Sequence, residues 1–233
     1  MLETGDTLTR LELFALAASA EQRGDCEPVS QYLTAQTQRE LHGLLHASEG
    51  DLENDSAAVP ETAAAALFTL TTLDSSQAAQ FFPTGVDAWI SAQARVSGKQ
   101  IVPLETAKDR LTAMQQAFAK APCLKRAQLL ESFIAARAGT PPVTREDFHE
   151  LVDHWRNGDM QALARQIKRF RTGSDIMFEA LTGGRNRIWL PRILEQLERN
   201  HSVLVVVGSA HLAGPKNLLQ LLEKKEIPVE RVQ

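Results

Sequence analysis

Residues 201–232 read HSVLVVVGSAHLAGPKNLLQLLEKKEIPVERV. The run Ser202–Val207 is almost wholly apolar and β-branched, the composition of a strand covered on both faces in a parallel sheet. It opens into Gly208-Ser209-Ala210-His211, a helical pattern follows over 215–224, and Val229 to Val232 reads as a closing strand. His211 is therefore expected on a loop at the carboxyl end of a buried strand, where open α/β sheets gather ligand-binding groups. Gly208 allows a sharp turn and a close approach of backbone to a bound group.

A second unit of this kind lies upstream. Lys99 to Leu104 reads as a short strand, with Pro103 expected at its end because proline cannot donate a ladder hydrogen bond. Glu105 follows, and Thr106 can cap a helix over 107–120. A carboxylate and an imidazole at the mouths of neighbouring parallel strands can converge as metal ligands, or as a base and the group that orients it. Each also has an ordinary use, Glu105 as an acid favoured by the amide dipoles of a helix start and His211 as a loop residue.

From 107 to 201 the pattern is helical almost throughout. Segments 125–137, 145–156, 159–170, 173–182 and 185–199 are separated by Gly139–Pro142, Asn157-Gly158 and Gly183-Gly184. Before residue 99 the chain reads as a helix over 7–22, one after Thr34 with Leu33 as its staple, an alanine-rich helix from Pro60 to Leu73, and one over 86–97. Val86, Trp89, Ile90 and Ala94 are expected to face inward in the last of these. Two strands and a large helical middle predict an α/β fold, with a small mixed or parallel central sheet and a large helical insertion at 107–201, in one domain over 1–233.

Twenty-five Lys and Arg against 29 Asp and Glu give a net charge of -4, and the densest basic cluster, Lys168-Arg169-Arg171, is short. That balance argues against nucleic acid as a partner. No apolar run reaches the length of a membrane span, and MLETGDTLTRLELFALAA has none of the marks of a secretory signal. On those grounds the chain is expected to be soluble, and cytoplasmic if it starts at Met1. Cys26 and Cys123 allow one disulfide or none, and spacing alone does not pair them. His42 and His46 stand at i,i+4 without the glutamate of an HExxH helix, and His149 and His154 are five apart, so all four read as surface or packing residues. Gly183-Gly184-Arg185-Asn186-Arg187 could bind a carboxylate or serve as a helix cap with salt-bridging arginines. Arg185 and Asn186, adjacent on a helix, are expected to point different ways.

Together TGVDAWISAQARVSGKQIVPLET, LVDHWRNGDMQALARQ, GRNRIWLPRILEQL and VLVVVGSAHLAGPKNLLQLLEKKEIPVERV resemble, in order, segments of the TraB/GumN family, the group related to the Tiki proteins. Residues 208–211 match the second of its two G-x-x-H motifs. Glu105 matches the glutamate of its G-L-E-T-like strand end, with Pro103 where glycine is commoner. Arg185 and Asn186 match its R-N pair, and Gly85 with Asp87 its G-V-D. The resemblance implies a bacterial, divalent-metal-dependent peptidase or hydrolase using zinc, manganese or cobalt. His211 and Glu105 would be metal ligands and catalytic groups, Arg185 an anchor for an anionic group, and Asn186 a support for the loop. Many family members are exported or lipid-anchored.

The family's first G-x-x-H has no match here and is expected to lie outside this sequence. Met1-Leu2-Glu3-Thr4 resembles the tail of the following strand, which makes Glu3 a remote third ligand. The leading expectation is thus a metallohydrolase-type domain acting on peptides, impaired by the missing motif, with a divalent metal or, in this shortened chain, none. The alternative is a non-catalytic peptide- or protein-binding domain or a truncated fragment, with a homo-oligomer allowed in either case.

Overall fold

In a computed structural model, the structure describes residues 2–4, 12, 15–16, 26, 28–46, 60–81, 86–138, 145–170, 175–199 and 202–232. The described helices are α1 (Ala35–His46), α2 (Ala63–Phe81), α3 (Val86–Val96), α4 (Ala107–Phe118), α5 (Cys123–Ala138), α6 (Arg145–Arg156), α7 (Met160–Phe170), α8 (Asp175–Phe178), α9 (Gly184–Arg199) and α10 (Leu218–Glu223). Short 3-10 turns occupy Val29–Tyr32 and Ser209–His211. Polar residues placed just before the helices start several of them. The Thr34 hydroxyl accepts from Thr37 N–H at 3.1 Å, that of Thr62 from Ala65 N–H at 3.0 Å, and Asn217 Oδ1 from Gln220 N–H at 2.9 Å. Thr106 and Asp109 form a full capping box at α4, each satisfying a backbone donor that the helix leaves open.

Helix α2 forms the centre. Every residue from Ala63 to Leu70 is buried, as expected of a helical stretch, AAAALFTL, that is apolar almost all round and so has no solvent face. Against it pack Leu41 and Leu45 of α1, Leu111, Met114 and Phe118 of α4, Leu130 and Ile134 of α5, and Met177 of α8. A second, smaller cluster gathers Leu104, Trp189, Ile193 and Leu218, with Val205 and Val207 partly buried against it. The candidate site belongs to this smaller cluster.

The expected α/β architecture is overturned: the described residues are almost entirely helical. Their strand content is one two-stranded parallel ladder, β1 (Leu2–Thr4) with β2 (Pro103–Glu105), Leu2 facing Pro103 and Thr4 facing Glu105. Residues 2–4 thus pair, as the tail of a strand would. Pro103 opens β2 instead of ending it, a position where its missing N–H is tolerated. Ser202–Val207 is not a strand. Val205 and Val207 turn toward the small cluster while Leu204 is 66 % exposed, so burial is one-sided and the β-branched run marks an extended chain lying on helices. Val229 to Val232 is not a strand either, and Val232 is exposed.

Two helical expectations also change. Val86 and Trp89 point outward, Trp89 at 63 % exposure, and the buried residue of α3 is Ser91, whose hydroxyl satisfies itself on the Asp87 carbonyl at 2.7 Å. Gly183-Gly184 does not interrupt the chain's helical course: α8 passes into a π-helical turn (Glu179–Gly183) and directly on into α9. A Cβ on Gly184 would lie 2.7 Å from the Glu179 carbonyl oxygen and 3.5 Å from Ala113 Cβ, so the glycine serves close packing of the π turn and α4. Of the helix expected over 7–22, residues 12, 15 and 16 are described and are helical, and the rest lies outside the described residues.

Cys26 and Cys123 are joined in a disulfide across 97 positions, tying the chain ahead of α1 to the first residue of α5. A cross-link closing a loop of about 100 residues removes denatured-state freedom worth about 4.7 kcal/mol in the chain-entropy account. Reduction should therefore lower the denaturant midpoint of the purified protein, and Cys123→Ser should reproduce the shift. Equal midpoints for oxidised and reduced protein in a urea titration would contradict it.

Candidate functional site

Three segments meet at the site: the end of β2, the start of α9, and the 3-10 turn at Ser209–His211. The β2 end is fixed first. Arg192 of α9 donates from Nη1 to the Leu104 carbonyl at 2.6 Å and to Asp109 Oδ2 at 2.9 Å. Asp109 is at the same time held by Thr106 N–H at 2.8 Å and the Thr106 hydroxyl at 2.9 Å. Partial burial raises the Asp109 pKa, but the Arg192 and Thr106 donors outweigh it and hold the carboxyl below its ordinary value of 3.8.

Glu105, 1 % exposed, is enclosed by α9. Arg185 Nε donates to both its oxygens at 3.1 and 3.0 Å, Arg185 Nη2 to Oε1 at 2.6 Å, and Trp189 Nε1 to Oε2 at 2.8 Å. Arg185 and Trp189 stand at i,i+4 and so share a helix face, with the guanidinium carbon 4.9 Å from the indole centroid. Arg185 Nη1 also donates to the Leu181 carbonyl at 3.2 Å.

His211 is 3 % exposed and lies across from Trp189, ring centroids 4.2 Å apart. Its Nδ1 is 2.6 Å from Asn186 Oδ1, and Asn186 Nδ2 donates to the Lys216 carbonyl at 3.0 Å. Because the amide spends its NH₂ on that carbonyl, the hydrogen between Asn186 and His211 belongs to Nδ1. That leaves Nε2 directed at Arg185 Nη1, 3.5 Å away. Lys216 is held in the left-handed region, φ 54°, an uncommon conformation for a side-chain-bearing residue. Its N–H donates to Gln220 Oε1 at 2.9 Å, and its ammonium pairs with Glu179. Glu179 also takes Arg187 at 2.7 Å. Burial opposes its ionisation, yet the two cations hold its pKa below the ordinary 4.5.

The structure thus brings Glu105, Arg185, Asn186 and His211 into one buried network. Arg185 and Asn186 both point into it, contrary to expectation. The two adjacent residues reach different partners on one side, Arg185 the β2 end and Asn186 the 3-10 turn, while Arg187 turns out to Glu179. Glu3 lies in β1, where the register sets Thr4 opposite Glu105; its side chain is outside the described part. Gly85 is outside the described residues, and Asp87 is exposed in the first turn of α3. His42 and His149 are exposed, and His154 Nε2 lies 3.6 Å from Glu150. Sequence reasoning missed Trp189, Arg192 and Lys216. The i,i+4 spacing from Arg185 to Trp189 was the available signal for the first.

A divalent cation does not fit this arrangement. Both Glu105 oxygens are engaged by N–H donors, His211 Nε2 faces a guanidinium, and among the described residues no group of three His, Cys, Asp or Glu could hold a metal.

What the geometry defines is a helical domain with a carboxylate–guanidinium–imidazole network closed on itself at a strand end. The chain belongs to the TraB/PrgY/gumN family, whose model matches residues 8–231. No curated protein matches it, and no solved structure does. Among the described residues, no helix is long and apolar enough to cross a membrane.

Removing one partner of a buried ion pair strands the other charge, at a cost of about 3–5 kcal/mol. Arg185→Met should therefore lower stability by that amount in urea unfolding, whereas Arg187→Met, at the half-exposed pair, should cost under about 1 kcal/mol. Comparable losses for the two variants would refute the assignment.

Depressed carboxyl values set the acid limb. Asp109 and Glu179 bind protons less readily when folded, so their stabilisation is full above the ordinary values of 3.8 and 4.5 and is lost as pH falls below them. The urea midpoint should drop through that window, and drop less in an Asp109→Asn, Glu179→Gln double variant. An unchanged acid limb in that variant would show that other groups set it.

Proposed function

We propose that this chain is a peptide-binding domain of its family, in which the Glu105–Arg185–His211 network pins the walls of a binding cleft. The observation that carries the reading is the commitment of the reactive groups. Each side chain suited to hydrolysis is buried and spent on another, so the network holds structure together without presenting a base or a ligand. Glu105 ends the segment that begins at Lys99, and His211 closely follows the one that begins at Ser202. Those two segments, with α3, line a cleft of about 610 Å³, within the range of sites that take small ligands.

The cleft's chemistry suits an extended peptide without basic side chains, Lys99 being the one charged residue among those lining it. Trp89, Ile101, Val203 and Leu204 offer apolar contacts for side chains, and Gln93, Gln100 and Gln196 carry amides that can both donate to and accept from a peptide backbone. The Cys26–Cys123 disulfide supports an oxidising compartment as the place of action, against the cytoplasmic expectation.

A second reading, a metal-dependent peptidase or hydrolase, has one observation in its favour. His211 is anchored through Nδ1 with Nε2 turned inward, as a metal-bound histidine is held by its supporting partner. That reading requires Arg185 to leave Glu105.

Titrating the protein with a library of short apolar, uncharged peptides should give a saturable change in tryptophan fluorescence. The change should disappear in Trp89→Phe, and the affinity should fall at least tenfold in Leu204→Arg. No saturable binding, or zinc- or manganese-dependent cleavage of the peptides by this chain, would overturn the proposal.

A further inference from the structure

The buried network raises a question independent of whether the cleft binds peptide: what neutralises Glu105. We infer that the Arg185 guanidinium is the resident cation of the Glu105–His211 site and excludes divalent metals from it. An ionised carboxylate offers about four lone-pair directions. Three N–H donors meet Glu105, Arg185 Nε shared between both oxygens, Arg185 Nη2 on Oε1 and Trp189 Nε1 on Oε2, so each oxygen is engaged by the protein. Arg185 Nη1 faces His211 Nε2 at 3.5 Å. A zinc ion bonded to that nitrogen would sit about 2.0–2.1 Å from it, hard against a guanidinium whose charge does not titrate away.

The guanidinium is also held from every side that matters for keeping it there. Leu181 supplies a carbonyl to Nη1, the Trp189 face lies beneath the plane, and the fork meets Glu105 with two of its three nitrogens. A lysine could reach Glu105 but would engage it as a point charge and could lose its proton on burial. Arginine does neither. Among the described residues, no further His, Cys, Asp or Glu completes a set with Glu105 and His211, so from those residues a cation displacing Arg185 would gain two protein ligands for the donors it breaks.

The test is metal binding by the folded, tag-free protein, read by calorimetry with zinc and manganese and by the visible absorption of added cobalt. Wild type should bind none of the three stoichiometrically, and its thermal midpoint should not move with chelator. Arg185→Gln, which keeps an amide donor for Glu105 and removes the charge, should gain zinc affinity at least tenfold, and His211→Ala in that background should abolish the gain. Stoichiometric zinc binding by wild type that His211→Ala removes would overturn the inference, as would a folded Arg185→Gln protein with no gain. If Arg185→Gln does not fold, the wild-type and His211→Ala titrations decide alone, binding lost with the histidine counting against and no binding counting in favour.

Discussion

Burying a carboxylate and a guanidinium together removes both from water at several kcal/mol per ion, and the mutual attraction repays this only when every remaining donor and acceptor is also met. The Arg185–Glu105 pair imposes that condition on everything around it. Trp189 must present its N–H, Leu181 its carbonyl, and β2 must stop at the residue where the carboxylate turns into α9. Arg192 enforces the last requirement by gripping the Leu104 carbonyl and the capping Asp109 together. Asn186 then carries the same discipline to the 3-10 turn, where Lys216 accepts an unfavourable backbone conformation to supply the carbonyl the amide needs.

The apolar packing explains why such a network can be afforded on one side of the molecule. The larger cluster around α2 is built from aliphatic and aromatic side chains. The charged groups collect beside the smaller cluster of Leu104, Trp189, Ile193 and Leu218. Stability from burial and specificity from polar pairing are thus divided between two regions. Buried polar groups retained for specificity of arrangement are known in some proteins and not in others, and here they align three chain segments, the β2 end, the start of α9 and the 3-10 turn, that are not paired with one another in a ladder.

Much of the helical course was legible in the sequence because its signals are local. Thr106 with Asp109, Thr34, and Asn157-Gly158 act within a turn or two of themselves, and α4 through α7 begin within a few residues of where their caps and periodicity put them. Glu105, Arg185, Asn186 and His211 could be picked out as unusual, but their pairing depends on groups far apart in the chain and leaves no local trace. The same holds for Cys26 with Cys123. Ser202–Val207 misled for a related reason: a β-branched run favours extended backbone, while membership of a sheet is decided by a neighbour elsewhere. Trp89 and Val86 fit an inward helical stripe by spacing, yet α3 turns that stripe toward the cleft and solvent. Gly183-Gly184 looked like punctuation because glycine's tolerance for tight packing and its tendency to end helices are indistinguishable from sequence alone.

The π-helical turn at Glu179–Gly183 gives the long helical passage from Asp175 to Arg199 two orientations. A turn closed by i→i+5 bonds carries one more residue than an α turn, and one residue corresponds to about 100° of rotation around the axis. Ile176 and Met177 before it and Leu181 within it face the larger cluster, and the segment after it turns Ile188, Trp189 and Ile193 to the smaller one. The extra residue therefore works as a phase shifter between two cores. A homologue that lacked it would have to redistribute Arg185, Asn186 and Trp189 by a full residue step, so chain length in this short stretch, more than the identity of its side chains, is what keeps the two halves of the domain in register.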